Sequence, residues 1–122
     1  MNIEQARFNM VEQQIRPWDV LDQLVLDLLF RFRREDFVPP AHRALAFVDM
    51  EIPLGHGEKL WTPKLEARVI QELAIQPTDR ALEIGTGSGY LTALLSAQAE
   101  SVVSVELHPD FIAGARARLD AH

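Results

Sequence analysis

Apolar residues recur with a helical period along much of the first two thirds of this chain, and in the last third short strand-like runs alternate with helical ones. Ile3, Ala6, Met10 and Val11 form a stripe at helical spacing behind Asn2, a natural N-cap. They predict a helix running to about Ile15, where Pro17 ends it. Val20, Leu21, Leu24, Val25, Leu28 and Leu29 repeat on one face, with Asp22, Gln23 and Asp27 opposite. They predict a second amphipathic helix capped by Asp19 and packed against the first.

Pro39-Pro40 forbids a helix through Val38, and a short helical turn is expected over residues 41–46. Residues 49–63 hold Pro53, Gly55 and Gly57 around a short extended piece, and they read as one long ordered loop. Pro63 opens a third helix with Leu65, Val69, Ile70 and Leu73 on its apolar side and Glu66, Arg68 and Glu72 among its polar positions. Gln76-Pro77-Thr78-Asp79 breaks it. From Arg80 the pattern gives a strand, a glycine-rich turn, a helix from about Gly89 to Gln98, a strand from about Ser101 to Glu106, and a last helix capped by His108 or Asp110. The class is α/β: a helical region over residues 1–78, then a βαβ unit and one more helix over residues 79–122.

Composition removes several alternatives. A chain of 122 residues with 48% hydrophobic and 25% charged residues is globular, and at this length it buries roughly two thirds of its unfolded surface. The net charge of −6 argues against a nucleic-acid partner. The local basic run Arg31, Arg33 and Arg34 reads as a solvated helix end. The absence of cysteine excludes disulfides and thiolate chemistry, and His42, His56, His108 and His122 are scattered, so no metal is expected. Glu4 and Arg7 replace an apolar leader, and Asp22 and Asp27 interrupt the greasiest segment, so no membrane association is expected.

The chemistry concentrates at Glu83-Ile84-Gly85-Thr86-Gly87-Ser88-Gly89-Tyr90, where a strand ends in glycines at every second position. Such a turn lets backbone lie against a ligand. Dinucleotide oxidoreductases carry G-x-G-x-x-G, and here Tyr90 stands where the third glycine is needed, which makes NAD the weaker ligand. Glu106 ends the next apolar strand about 20 residues later, where an acid accepts both ribose hydroxyls. Adenosine with a free ribose fits.

Phe37-Val38-Pro39, Ala46-Phe47-Val48-Asp49, Ile52-Pro53-Leu54-Gly55-His56-Gly57 and the glycine stretch from Leu82 to Tyr90 resemble, in order and spacing, the protein-L-isoaspartate O-methyltransferases. The resemblance implies the N-terminal part of a Rossmann-like class I methyltransferase fold and S-adenosyl-L-methionine as cofactor. It implies carboxyl methylation of damaged aspartyl residues in protein repair, on isoaspartyl proteins or peptides, in the cytoplasm. It further implies that Glu83, Gly85, Thr86, Gly87, Ser88, Gly89 and Glu106 line the cofactor.

The chain departs from that family twice. Where the family continues with Gln-Thr-Ile-Ser-Gln-Pro, this chain has Glu58-Lys59-Leu60-Trp61-Thr62-Pro63. Trp61 takes the place of a serine that helps hold the isoaspartyl carboxylate, Thr62 offers a hydroxyl one residue later, and Lys64 replaces the usual histidine. The catalytic residues are therefore left unassigned. The family also runs on for about as much sequence again, so the chain reads as truncated at its C-terminus, with an incomplete sheet free to self-associate. Two alternatives accompany the repair enzyme: a related methyltransferase with another acceptor, and a non-catalytic cofactor-binding or interaction domain.

Overall fold

The structure is a computed structural model, and residues 2–122 are described. Helix α1 (Ile3–Met10) is capped by Asn2, whose Oδ1 accepts the Gln5 N–H at 3.0 Å. The helical path continues to Ile15 as predicted, but Val11–Ile15 widen into a π-turn and Arg16–Trp18 tighten into a 3-10 turn around Pro17. That tightening throws Asp19 into the left-handed region at φ 60°.

Asp19 consequently does not cap the second helix. Helix α2 (Gln23–Arg31) starts later, with the Asp22 carboxylate accepting the Leu24 N–H at 2.9 Å. The later start changes the buried face to Val25, Leu26, Leu28 and Leu29, while the predicted core residues Leu21 and Leu24 stand in solvent. The Gln71 side chain ties this junction to the third helix, accepting the Leu21 and Asp22 N–H groups and donating to the Asp19 carbonyl.

Two 3-10 segments, Arg34–Phe37 and Pro40–Leu45, carry the chain to residue 45. The expected loop over residues 49–63 contains a regular element instead. Strands β1 (Ile52–Gly55) and β2 (Glu58–Leu60) pair antiparallel around a two-residue turn, His56-Gly57, with both residues at positive φ. That backbone matches the twist of a tight hairpin, and a histidine in it conceals the turn from sequence inspection.

Helix α3 (Pro63–Leu73) has Pro63 in its first turn and Thr62 as cap. Its buried face is Glu66, Ala67 and Ile70, and Leu73 is exposed, which corrects the predicted stripe. Strand β3 (Arg80–Ile84), helix α4 (Tyr90–Gln98), strand β4 (Ser101–Val105) and helix α5 (Pro109–Asp120) follow as predicted, and β3 and β4 pair parallel from Arg80↔Ser101 to Ile84↔Val105. Met10, Ile15, Leu29, Phe37, Ile52, Ile70, Tyr90 and Leu94 join helices, hairpin and βαβ unit in one core. The other face of the parallel pair is bare: Leu82, Ile84, Val103 and Val105 are all at least 46% exposed. No helix among the described residues is long and apolar enough to cross a membrane.

Two buried ion pairs hold the front of the molecule to its centre. Arg7 donates to both Glu35 oxygens at 2.9 and 2.7 Å. Arg34, read from the sequence as part of a solvated helix end, is instead buried against Glu66 and donates to the Ala46 and Trp61 carbonyls at 2.7 and 2.9 Å. A guanidinium out of water needs every donor engaged, and these partners come from four separate segments.

Candidate functional site

The carboxyl ends of β3 and β4 open into a cleft of about 630 Å³. Its floor is the glycine loop, one wall is the end of β4 with Glu106 and His108, and the other is Leu54 and Leu60 of the hairpin with Trp61. A crevice at the carboxyl edge of parallel strands is where ligands of such sheets bind.

The loop is held from below. The Gly85 N–H donates to the Val105 carbonyl at 2.8 Å, which ties the end of β3 to β4. Gly87 and Gly89 take φ of 56° and 90°. At Gly89 the reason is close approach as well, because a Cβ would sit 3.1 Å from that of Ala115 on α5. Ser88 is buried, its Oγ accepting the Tyr90 N–H at 3.3 Å and its carbonyl accepting Arg118 Nη1 at 3.1 Å. Thr86 bonds through its hydroxyl to Ser104.

Two acids bracket the loop in contrasting states. Glu83, 8% exposed, accepts hydroxyl protons from Thr92 and, at 2.7 Å, from Ser104. Burial pushes its carboxyl up, against those two hydroxyls. Glu106 reaches the open side of the cleft. Its Oε1 accepts the Gly87 N–H at 2.8 Å and its Oε2 the His108 N–H at 3.1 Å. Desolvation works to raise Glu106, but the backbone N–H groups of Gly87, His108 and Leu107 outweigh it and hold the carboxyl below the usual range. Glu106 is thus an ionised acceptor in the cleft, and Glu83 a buried one beneath it.

Trp61 lies on the cleft with 42% of its surface exposed, and its carbonyl is fixed by Arg34. Thr62 is committed elsewhere, its hydroxyl oxygen accepting the Leu65 N–H at 3.4 Å as the cap of α3. Lys64 stands over the Trp18 ring at 4.6 Å and reaches Asp49 at 3.1 Å. Sequence inspection singled out Glu83, residues 85–89, Glu106 and Trp61, and the structure gathers Glu83, residues 85–88, Glu106 and Trp61 on one cleft, with Gly89 packed behind it. It missed Leu54, His108, Phe111 and Glu66, which also line the cleft. For His108 the signal was its position two residues past Glu106. Glu66, counted as polar surface, is wholly buried; burial pushes its carboxyl up to about 7, against the pull of the Arg34 guanidinium.

Known proteins place this arrangement. A Methylorubrum populi protein-L-isoaspartate O-methyltransferase is 37% identical over 116 residues, covering 95% of this chain and 55% of that one. The Methanoculleus marisnigri enzyme of the same name is 42% identical over 113 residues, covering 93% and 51%. The chain therefore spans about half the length of the curated relatives it matches. Among solved structures, a Plasmodium falciparum chain named beta-aspartate methyltransferase (PCMT), in complex with S-adenosyl-L-homocysteine, superposes with TM-score 0.75 at 20% identity. It covers 99% of this chain and 56% of that one. A second protein-L-isoaspartate O-methyltransferase gives 0.71 at 22%, covering 98% and 38%. These two likenesses show the class I methyltransferase fold. The family model for protein-L-isoaspartate(D-aspartate) O-methyltransferase (PCMT) matches residues 5–122, the helical front, hairpin and glycine loop together, and the chain belongs to that family.

Proposed function

We propose that the cleft binds S-adenosyl-L-methionine and serves methyl transfer to the carboxyl group of isoaspartyl residues in proteins or peptides, as part of cytoplasmic protein repair. The observation that carries this reading is Glu106: an ionised acid at the end of β4, beside the glycine loop, with its carboxylate on the open cleft. A carboxylate so placed suits two ribose hydroxyls and repels a 2′-phosphate. The volume of the cleft suits a nucleoside cofactor.

In this reading Gly85, Thr86, Gly87, Ser88 and Gly89 shape the floor under the cofactor, Glu83 braces that floor through Thr92 and Ser104, and Glu106 takes the ribose. The cofactor supplies an electrophilic methyl group on a sulfonium. The acceptor carboxylate is ionised at neutral pH, so the protein's part is to bind, orient and shelter it, without a general base. Residues 1–78 form the acceptor side and residues 79–122 the cofactor side. The bare strand face favours pairing with a second copy, and the net charge of −6 disfavours nucleic acid.

Trp61 supports a second reading of the acceptor. An indole exposed on the cleft where relatives place a serine narrows the space for an isoaspartyl group and favours a different methyl acceptor.

The test is a calorimetric titration of this chain with S-adenosyl-L-homocysteine, with NAD as control. Micromolar binding of the first alone is the expected result. Binding of neither to the folded chain counts against the cofactor reading, and binding of NAD in competition overturns it.

A further inference from the structure

His56 and His108 are 52 positions apart in sequence, yet their rings lie face to face, 4.0 Å between centroids and 7° from parallel. His56 sits in the hairpin turn, and His108 is the residue on which α5 begins. The Asp110 carboxylate takes His56 Nε2 with both oxygens, at 2.9 and 3.1 Å. An ionised carboxylate only accepts, so the proton of neutral His56 is on Nε2, and the free Nδ1 is where a second proton arrives. His56 holds Asp110 in that ionised form: its hydrogen bond outweighs desolvation and keeps the carboxyl below the usual range. His108 Nε2 is 3.9 Å from Glu58 on β2. Phe111 closes the cluster, edge-on to both imidazoles at 5.3 and 5.2 Å.

This cluster joins two walls of one cleft. The hairpin brings Leu54 and Leu60 to it, and the start of α5 brings His108 and Phe111. Leu54 also covers the glycine loop, its Cδ1 3.3 Å from where a Cβ on Gly87 would stand. No group of three or more His, Cys, Asp or Glu side chains placed to hold a metal ion occurs among the described residues.

We propose that His56, His108 and Asp110 form a proton-controlled latch that holds the β1–β2 hairpin over the cofactor cleft. The groups facing the two rings are Asp110 on α5, Glu58 on β2 and, through the backbone of His108, Glu106. A first proton is shared among these acids and tightens the clasp. A second places like charges face to face at 4.0 Å and pushes the turn off α5. Histidine is the side chain whose charge responds to mild acid, so protons are the signal this latch reads. His56, His108 and Asp110 are positioning residues: they act on the cleft through Leu54 and the hairpin.

The test rests on the proposed cofactor reading only in its second readout. Amide hydrogen exchange over residues 54–60, at pH 8 and pH 5.5 and corrected for intrinsic rates, reads the latch with no ligand present. Wild-type protein is expected to lose protection at pH 5.5. His108→Phe, which keeps an aromatic face without a second charge, is expected to retain it. His56→Asn, which tolerates the left-handed backbone but removes the ring, is expected to be unprotected at both pH values. Titration with S-adenosyl-L-homocysteine should then weaken by about tenfold at pH 5.5 in wild type and stay level in His108→Phe. Hairpin protection unchanged by pH in wild type, or the same pH response in His108→Phe, overturns the latch. A pH-dependent hairpin with no ligand binding at any pH upholds the latch and counts against the cofactor reading alone.

Discussion

The Arg34 guanidinium and the Glu66 carboxylate meet in the interior with side chains 1% and 2% exposed, linking the 3-10 segment after α2 to the first turn of α3. The Tyr90 ring lies 5.2 Å from the same guanidinium, so the pair supports the residue that starts α4 directly after the glycine loop.

Removing one partner strands the other charge. Arg34→Met is expected to cost about 3–5 kcal/mol of unfolding free energy, and adding Glu66→Leu should recover much of it. Urea unfolding of wild type, single and double variants gives the coupling directly. A double variant no more stable than Arg34→Met would contradict this account.

Gly89→Ala is expected to destabilise by about 2–4 kcal/mol, combining a left-handed alanine with a methyl group pressed against Ala115. The companion change Ala115→Gly in the Gly89→Ala background relieves the contact but not the backbone strain, so thermal unfolding should show partial rescue.

Glu83 sets a pH dependence of definite sign. Its folded carboxyl is raised above the ordinary 4.5, so the folded state holds the proton more tightly than the unfolded chain. Its contribution is therefore fully favourable below pH 4.5 and declines as pH rises toward its folded value. Glu83→Gln keeps an acceptor for Thr92 and Ser104 and removes that decline. Unfolding free energies across pH 4 to 8 should show the variant gaining on wild type as pH rises, and a constant difference would count against a raised Glu83.

Glu106→Ala is expected to weaken S-adenosyl-L-homocysteine binding by about tenfold or more, the loss of at least one charge-assisted hydrogen bond. Because Glu106 stays ionised to below the usual carboxylate range, affinity in the His108→Phe background, where the latch does not respond to pH, should stay level from pH 8 down to about pH 5. Glu106→Gln should fall between wild type and Ala in the same titration.

Trp61→Ser reads the acceptor. With both proteins joined to the carboxyl half of a family member, the variant should methylate an isoaspartyl peptide faster than the parent if the indole alone obstructs it. Equal rates would favour the different-acceptor reading.

The sequence made the cofactor half readable because its signals are local. Glycine spacing, the period-two apolar runs and the cap candidates His108 and Asp110 fix β3, α4, β4 and α5 within a few residues. The front half was harder for a physical reason: a 3-10 turn at Pro17 changes the phase of α2, and no periodicity count registers it. Buried charges were missed for another. Arg7 with Glu35 and Arg34 with Glu66 are 28 and 32 positions apart, and each residue alone reads as solvated surface. A still longer separation, 52 positions, hid the His56–His108 stack at the mouth of a site whose glycines and Glu106 were plain.

Leu82, Ile84, Val103, Val105 and Leu107 keep their apolar surface in water while the chain is folded. Unfolding of the monomer therefore adds little new hydration at these side chains, and its heat-capacity increment should fall below the about 12–15 cal/mol/K per residue typical of globular chains. A smaller increment flattens the stability curve, so for a given midpoint and unfolding enthalpy the folded monomer spans a broader range of temperatures between cold and heat unfolding.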